Sequence, residues 1–438
     1  MKSRYLFWTA LLGMVGGHAG LTATAVTVRD FWFGDPAAAP AASTVIEADS
    51  EWSPARGFGW EPGFAGVPTA TGATHPEGFY FTTGLQVEGN YRVTVWLGGG
   101  DQASITTVKA ELRRLMLPAR ISPAGTATRH QFVVNVRAPR ITAVPGVAAG
   151  VVALKAPRET TQESWAWDDG LTLEFTGKDP QLQRLVIEPA GTMPTVFLLG
   201  DSTVCDQSRE PYASWGQVFP RFFEPTVAVA NHAESGETYR DSLARRRLDK
   251  IISVMQPGDY LLMQFGHNDQ KQIKTGEGGP FTTYAEEMRA HIAAVKRVGG
   301  IPVVLSPMER RGFAPDGTVI GSLADYAAAA GQVATATGVR FIDLNARSRV
   351  LYEALGPAWS ATAFAAPDGK QDNTHHNNYG AWLMAACVLQ GFIEVAPEMS
   401  HHVRADLPPF DPAHPPPESE VRIPPSLLVT EMRPLGDE

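Results

Sequence analysis

The chain has 438 residues, of which 37 are basic and 46 acidic, and its formal net charge is −9. Such a length exceeds one average domain and predicts two or three units with room for a sizeable core. The acidic balance excludes nucleic acid as a natural partner and requires local Lys or Arg wherever a polyanion is bound.

Lys2 and Arg4, the apolar run Tyr5 to Val15 and the small-x-small triplet Ala23-Thr24-Ala25 read as a secretory signal over residues 1–25. Ala19 is a rival cleavage point, and an uncleaved anchor is the alternative. No later stretch reaches about 18 apolar residues, so the mature protein, from Val26, is expected to be secreted or periplasmic and to lack a membrane span. An exported chain permits a bridge between its two cysteines, Cys205 and Cys387, but one pair in so large a core is not a disulfide framework. Cys205 is expected to be a buried packing residue.

Residues 26–190 are β-like. Tyr91, Val93, Val95 and Leu97 alternate after Gly89-Asn90, as do Phe132, Val134 and Val136, and Leu171, Leu173 and Phe175. Val108 to Met116 continues the pattern with charges interspersed. Gly and Pro clusters separate the runs and long helical periodicity is missing, which predicts an antiparallel β-sandwich of the kind that carries carbohydrate-binding or accessory roles. Trp52, Trp60, Trp96, Trp165 and Trp167 lie in it, either to stack on sugar rings or to pack.

Over residues 191–395 the grammar changes. Apolar runs at Val196 to Leu199, Val227 to Ala230, Tyr260 to Phe265, Ile301 to Leu305 and Arg340 to Leu344 alternate with helical stretches near Arg240 to Met255, Tyr284 to Val298, Leu323 to Thr337 and Tyr379 to Ile393. This predicts an α/β unit, a parallel sheet wrapped by helices. In the first helix, Arg245, Arg246 and Arg247 leave the apolar stripe and are expected to form a solvated face. Residues 396–438 are Pro-rich and predict a tail that lies on the surface or stays partly disordered, in which His401-His402 reads as a solvated pair.

Four segments fall just after strand ends, where a doubly wound sheet places ligand residues. They are Gly200-Asp201-Ser202-Thr203, Asn231 to Gly236, Gly266-His267-Asn268-Asp269, and Asp372-Asn373-Thr374-His375 on the loop before the last helix. A serine hydroxyl attacks only with a neutral imidazole in reach and a carboxylate to hold that ring. Ser202 is therefore the candidate nucleophile, His375 its base and Asp372 the orienting acid, with His376 as the competitor to His375. An oxyanion needs fixed donors, which the N–H groups of Ser202 and Gly236 and the side chain of Asn268 can supply. No Gly-x-Ser-x-Gly elbow, His-Glu-x-x-His, paired Cys-x-x-Cys or P-loop occurs. His267, His375 and His376 lack a convincing set of co-ligands, so neither metal nor cofactor is expected.

In order, these blocks resemble those of the SGNH (GDSL-type) hydrolases. Glu210 to Gln217, Asn231 to Gly236, Gln264 to Asp269 and Asp372 to Gly380 look more specifically like the bacterial rhamnogalacturonan acetylesterases, some of which carry an N-terminal β-sandwich. The resemblance implies a flavodoxin-like three-layer hydrolase domain and metal-independent removal of acetyl groups from an acetylated polysaccharide, the pectin backbone. Two departures stand out: GDST in place of GDSL, and Glu237-Thr238 after Gly236 where relatives often have a basic residue and serine. Acetylated xylan, or short-chain esters in general, is the alternative substrate, and a catalytically silent carbohydrate-binding protein is the alternative of another class. The oligomeric state is not legible in the sequence.

Overall fold

A computed structural model describes residues 28–271, 276 and 278–434. The expected signal segment, residues 1–25, lies outside them. The N-terminal half is a sandwich of a seven-stranded and a five-stranded sheet, almost wholly antiparallel. Alternation makes its core: Val93, Val95 and Leu97 from one sheet meet Phe79, Phe81, Leu173 and Phe175 from the other, all fully buried. Trp60 belongs to that core and Trp167 is also buried, while Arg184 covers Trp96 at 5.0 Å from its ring.

The second half is built on a five-stranded parallel sheet in the order Ala228–Asn231, Thr195–Gly200, Tyr260–Gln264, Ile301–Leu305, Arg340–Ile342. This is the flavodoxin-like order, with the first strand at the switch point where the winding reverses. Val196 and Leu198 point into the core on one face of this sheet, Phe197 and Leu199 into the core on the other. Every residue of Thr195–Gly200 is buried, as a strand covered on both faces requires.

Several local expectations are corrected. Val108 to Met116 is not one strand but the turn of a hairpin between Ser104–Ala110 and Arg114–Ser122. Glu111 and Arg113 at its tip take the left-handed backbone, with φ of 55° and 64°. The tip is driven into the hydrolase half, where Leu112 joins a core flanking the parallel sheet and its carbonyl accepts from Gln217 at 2.8 Å. Burying a leucine stabilises by about 1.5–3 kcal/mol, which offsets part of the roughly 1–3 kcal/mol that each left-handed residue costs. Alternating polarity hid it, because charged residues at a buried domain contact read as a solvent-facing edge.

The stretch from Arg240 to Met255 is two helices, Tyr239–Ala244 and Arg247–Val254, broken at Arg246 with φ 62°. Its arginines are not a solvated face. Arg247 is 1% exposed and donates to both oxygens of Glu159 at 2.9 and 2.6 Å, Arg245 lies 3.3 Å from Glu237, and Arg246 bonds the carbonyl of Ala148. A helix over Leu344–Trp359, capped by Asp343, was not foreseen, although Leu344, Ser348, Leu351 and Tyr352 carry its buried spacing. Gly356 and Pro357 interrupt it and masked its period.

The Pro-rich C-terminal segment is laid along the protein. Glu210 donates to the carbonyl of Leu428 at 2.9 Å and accepts from Thr430 at 2.7 Å, and the buried Ser426 hydroxyl meets Glu174, Lys109 and Arg113. His402 is buried and bonded to Thr226 at 2.9 Å, not solvated. Cys205 and Cys387 are both free and buried. Among the described residues no helix is long and apolar enough to cross a membrane.

Candidate active site

Ser202 sits two residues past the end of the first parallel strand. The turn that presents it needs Gly200, since a Cβ there would come within 2.5 Å of the Gln264 carbonyl and of Val204. Asp201 locks the turn by accepting from the Thr203 N–H at 2.9 Å and its hydroxyl at 2.7 Å. Gln207 donates to the Ser202 carbonyl at 2.8 Å.

His375 is delivered from the loop before the last helix. Its Nε2 lies 2.8 Å from Ser202 Oγ and its Nδ1 3.1 Å from Asp372 Oδ2. The other oxygen of Asp372 accepts the N–H groups of Thr374 at 2.7 Å and His375 at 3.0 Å. Burial opposes ionisation of this carboxyl, yet the hydrogen bond and charge of His375 and those two N–H donors bring its pKa down to about 2. Ser202, His375 and Asp372 are at most 4% exposed, so the chain of hydrogen bonds runs in a place of low dielectric. The edge of the Tyr212 ring abuts His375, with centroids 5.8 Å apart.

His376 faces the other way. Its Nε2 meets the Tyr352 hydroxyl at 3.0 Å and its ring lies 4.5 Å from Phe364, and burial, reinforced by the charge of His375, lowers its pKa to about 3. His267 lies 3.3 Å from Asp201. Among the described residues no three metal-ligating side chains converge.

Gly236 and Asn268 follow the two strands that flank the first one. Gly236 has φ 74°, a conformation that suits glycine, in a turn that lets its N–H approach a ligand. Asn268 donates one amide hydrogen to the Glu237 carbonyl at 3.1 Å, tying the two loops together, and an amide has a second to offer. The unusual Glu237 is fully buried and lies 2.7 Å from Lys155 and 3.5 Å from Arg247. Arg158 lies 3.0 Å from Glu234 and donates to the Ser235 hydroxyl at 2.9 Å. Burial raises the pKa of Glu234 to about 8, against the opposing charge of Arg158.

The bases in this cluster come from outside the blocks that sequence reasoning singled out. Lys155 and Arg158 lie between the sandwich and the hydrolase half, and Arg433, on the C-terminal segment, has its Nε 3.7 Å from Asp372. Nothing in their local sequence marks them, since what recruits them is a carboxylate far along the chain. Gln207 and Tyr212 were closer to hand, within or beside the segment Glu210 to Gln217.

The sequence pattern described as the GDSL-like lipase/acylhydrolase family matches residues 198–383. The rhamnogalacturonan acetylesterase RhgT of Bacillus subtilis (strain 168) is 37% identical over 219 residues, which cover 48% of this chain and 93% of that protein. The probable rhamnogalacturonan acetylesterase YesY of the same organism is 30% identical over 204 residues, 46% of this chain and 93% of its own. A crystal structure of the Bacillus subtilis protein YxiM aligns with 84% of this chain and 98% of its own, at 23% identity and a TM-score of 0.47.

Proposed function

The chain belongs to the GDSL-like lipase/acylhydrolase family, and from that membership we propose that it is an exported serine esterase that removes acetyl groups from pectic rhamnogalacturonan. The observation that carries the chemistry is the hydrogen-bonded line from Ser202 through His375 to Asp372. Ser202 Oγ attacks the acetyl carbonyl as His375 Nε2 takes its proton, and Asp372, ionised down to about pH 2, holds the ring and stabilises the imidazolium. The oxyanion is held by the N–H groups of Ser202 and Gly236 and the side chain of Asn268, each donor contributing roughly 10²- to 10³-fold. The proton then passes from His375 to the departing sugar hydroxyl. Water, deprotonated by the same ring, releases acetate from the acetyl-serine.

The polymer assignment draws on the names of the two Bacillus subtilis relatives. Its test is kcat/KM for acetate release from acetylated rhamnogalacturonan and from acetylated xylan. Preference for the former is expected, and preference for xylan overturns the assignment. Export rests on Lys2, Arg4 and the run Tyr5 to Val15; a mature N-terminus near Val26 on protein recovered outside the cytoplasm is the expected result.

A further inference from the structure

A cavity of about 200 Å³ opens beside the Ser202 line, walled by three separate parts of the chain. Arg158, Gln162 and Glu163 come from a segment that precedes the last two strands of the sandwich, Gln207 to Arg209 and Tyr212 from the loop after Ser202, and Thr430 to Pro434 from the C-terminal segment. Two of the walls touch the catalytic groups, as Gln207 bonds the Ser202 carbonyl, the Tyr212 ring abuts His375 and Arg433 Nε stands 3.7 Å from Asp372, and Arg158 of the third bonds Ser235 beside Gly236. A group bound here therefore lies one side chain from the reacting ester. The space is small against the roughly 300–1,000 Å³ of drug-sized pockets and suits a single sugar unit.

The charge of the walls is opposite to that of the protein, which carries a net −9. Three guanidinium groups line the cavity, from Arg158, Arg209 and Arg433, against one carboxylate, Glu163. Arg158 is engaged by Glu163 and Glu234, each at 3.0 Å. Arg209 bonds the Val429 carbonyl, at 3.4 Å, and has no carboxylate partner among the described residues. Arg433 is 48% exposed and only loosely held, by Asp372 and by the Gln371 carbonyl at 3.5 Å. The segment bearing Arg433 is anchored by the pairing of Glu210 with Val429 and by the buried Ser426, so its guanidinium is brought to the cavity by a built contact.

We propose that this cavity is a carboxylate subsite, in which Arg209 and Arg433 hold the carboxylate of a uronic acid residue of the polysaccharide whose acetyl ester sits at Ser202. A guanidinium presents a planar fork that matches a carboxylate, and two on one small cavity outweigh its single acid, which Arg158 neutralises. Arg433 lies outside the residues matched by the family pattern, so this chain carries part of its specificity on its own C-terminal segment. The proposal rests on the reading of the protein as a polysaccharide acetylesterase.

The test is kcat/KM for acetate release from acetylated acidic pectic oligosaccharides and from the same oligosaccharides with their carboxyl groups methyl-esterified, for the wild type and for Arg209→Gln/Arg433→Gln. The wild type should prefer the free acid by at least about tenfold, expressed in KM and weakened by added NaCl, and the double variant should bring the ratio near one. Equal rates on both substrates in the wild type, or an undiminished preference in the double variant, overturn the subsite and leave the esterase reading intact. Absence of acetate release from either substrate by the wild type overturns the esterase reading itself.

Discussion

The guanidinium of Arg158 donates to the hydroxyl of Ser235 at 2.9 Å, one residue before Gly236. Lys155 bonds the Ser235 carbonyl and pairs with Glu237 at 2.7 Å. The turn that offers the Gly236 N–H is thus gripped from both sides by a segment of the sandwich half that precedes its last two strands. Elsewhere along the same contact, Arg113 pairs with Glu210, Arg114 lies 3.1 Å from Asp206, and Arg137 bonds the Asn231 carbonyl. The N-terminal half is therefore a structural partner of the site.

Residues 191–434 expressed alone should be insoluble or inactive. Removing the first half strips Asp206, Glu210, Glu234 and Glu237 of Arg114, Arg113, Arg158 and Lys155. A hydrogen bond to a charged group contributes about 1.5–3 kcal/mol, four such contacts are lost together, and total stabilities are only about 5–15 kcal/mol. Yield, circular dichroism and acetate release check this. A soluble fragment with wild-type kcat counts against it.

Arg247→Met should destabilise the protein by about 3–5 kcal/mol, because Glu159 and Glu237 are left buried without that cation. Arg340→Met, which removes an ion pair to the 48% exposed Glu398, should cost less than about 1 kcal/mol. Urea midpoints of the two variants compare them directly, and equal losses would refute the distinction between the two sites.

Asn268→Ala should lower kcat by roughly 10²- to 10³-fold with little change in KM, since an oxyanion donor acts mainly in the transition state. Steady-state kinetics on a soluble acetyl ester measure it. A change confined to KM would place Asn268 in substrate binding.

The parallel strands, their order along the chain and the segments after them were legible because a strand buried on both faces reads as an apolar run broken by glycine. The spacing from Asp372 already favoured His375 over His376, and the loop turns His375 to Ser202 and His376 to Tyr352. The contact between the halves was not legible at all. Arg245 to Arg247 read as a solvated triplet because the acids that bury Arg247, Glu159 and Glu237, are distant in sequence. The hairpin tip at Glu111 to Arg113 was hidden for the same reason, as the charge of Arg113 is met by groups of the other half.

Two buried histidines should each make the fold less tolerant of acid from about pH 6.5 downward, against Glu234, whose raised pKa acts in the opposite sense. Burial lowers the pKa of His376 to about 3 and that of His291 to about 4 from an ordinary 6.5. Between those values the unfolded chain binds more protons, so the stability contributed by keeping each ring neutral is complete above pH 6.5 and is lost as pH falls through the folded-state values. At pH 5 each accounts for about 2 kcal/mol. The change in urea midpoint from pH 7.5 to 5 should be less favourable in the wild type than in His291→Phe, and the same change in both excludes this origin of acid sensitivity.

The most direct test of the account is acetate release by Ser202→Ala beside the wild type, with urea midpoints measured in parallel. The hydrogen-bonded line from Ser202 to Asp372 predicts a loss of at least about 10⁴-fold at an unchanged midpoint. A variant that keeps about a tenth or more of the wild-type rate would contradict Ser202 as the nucleophile.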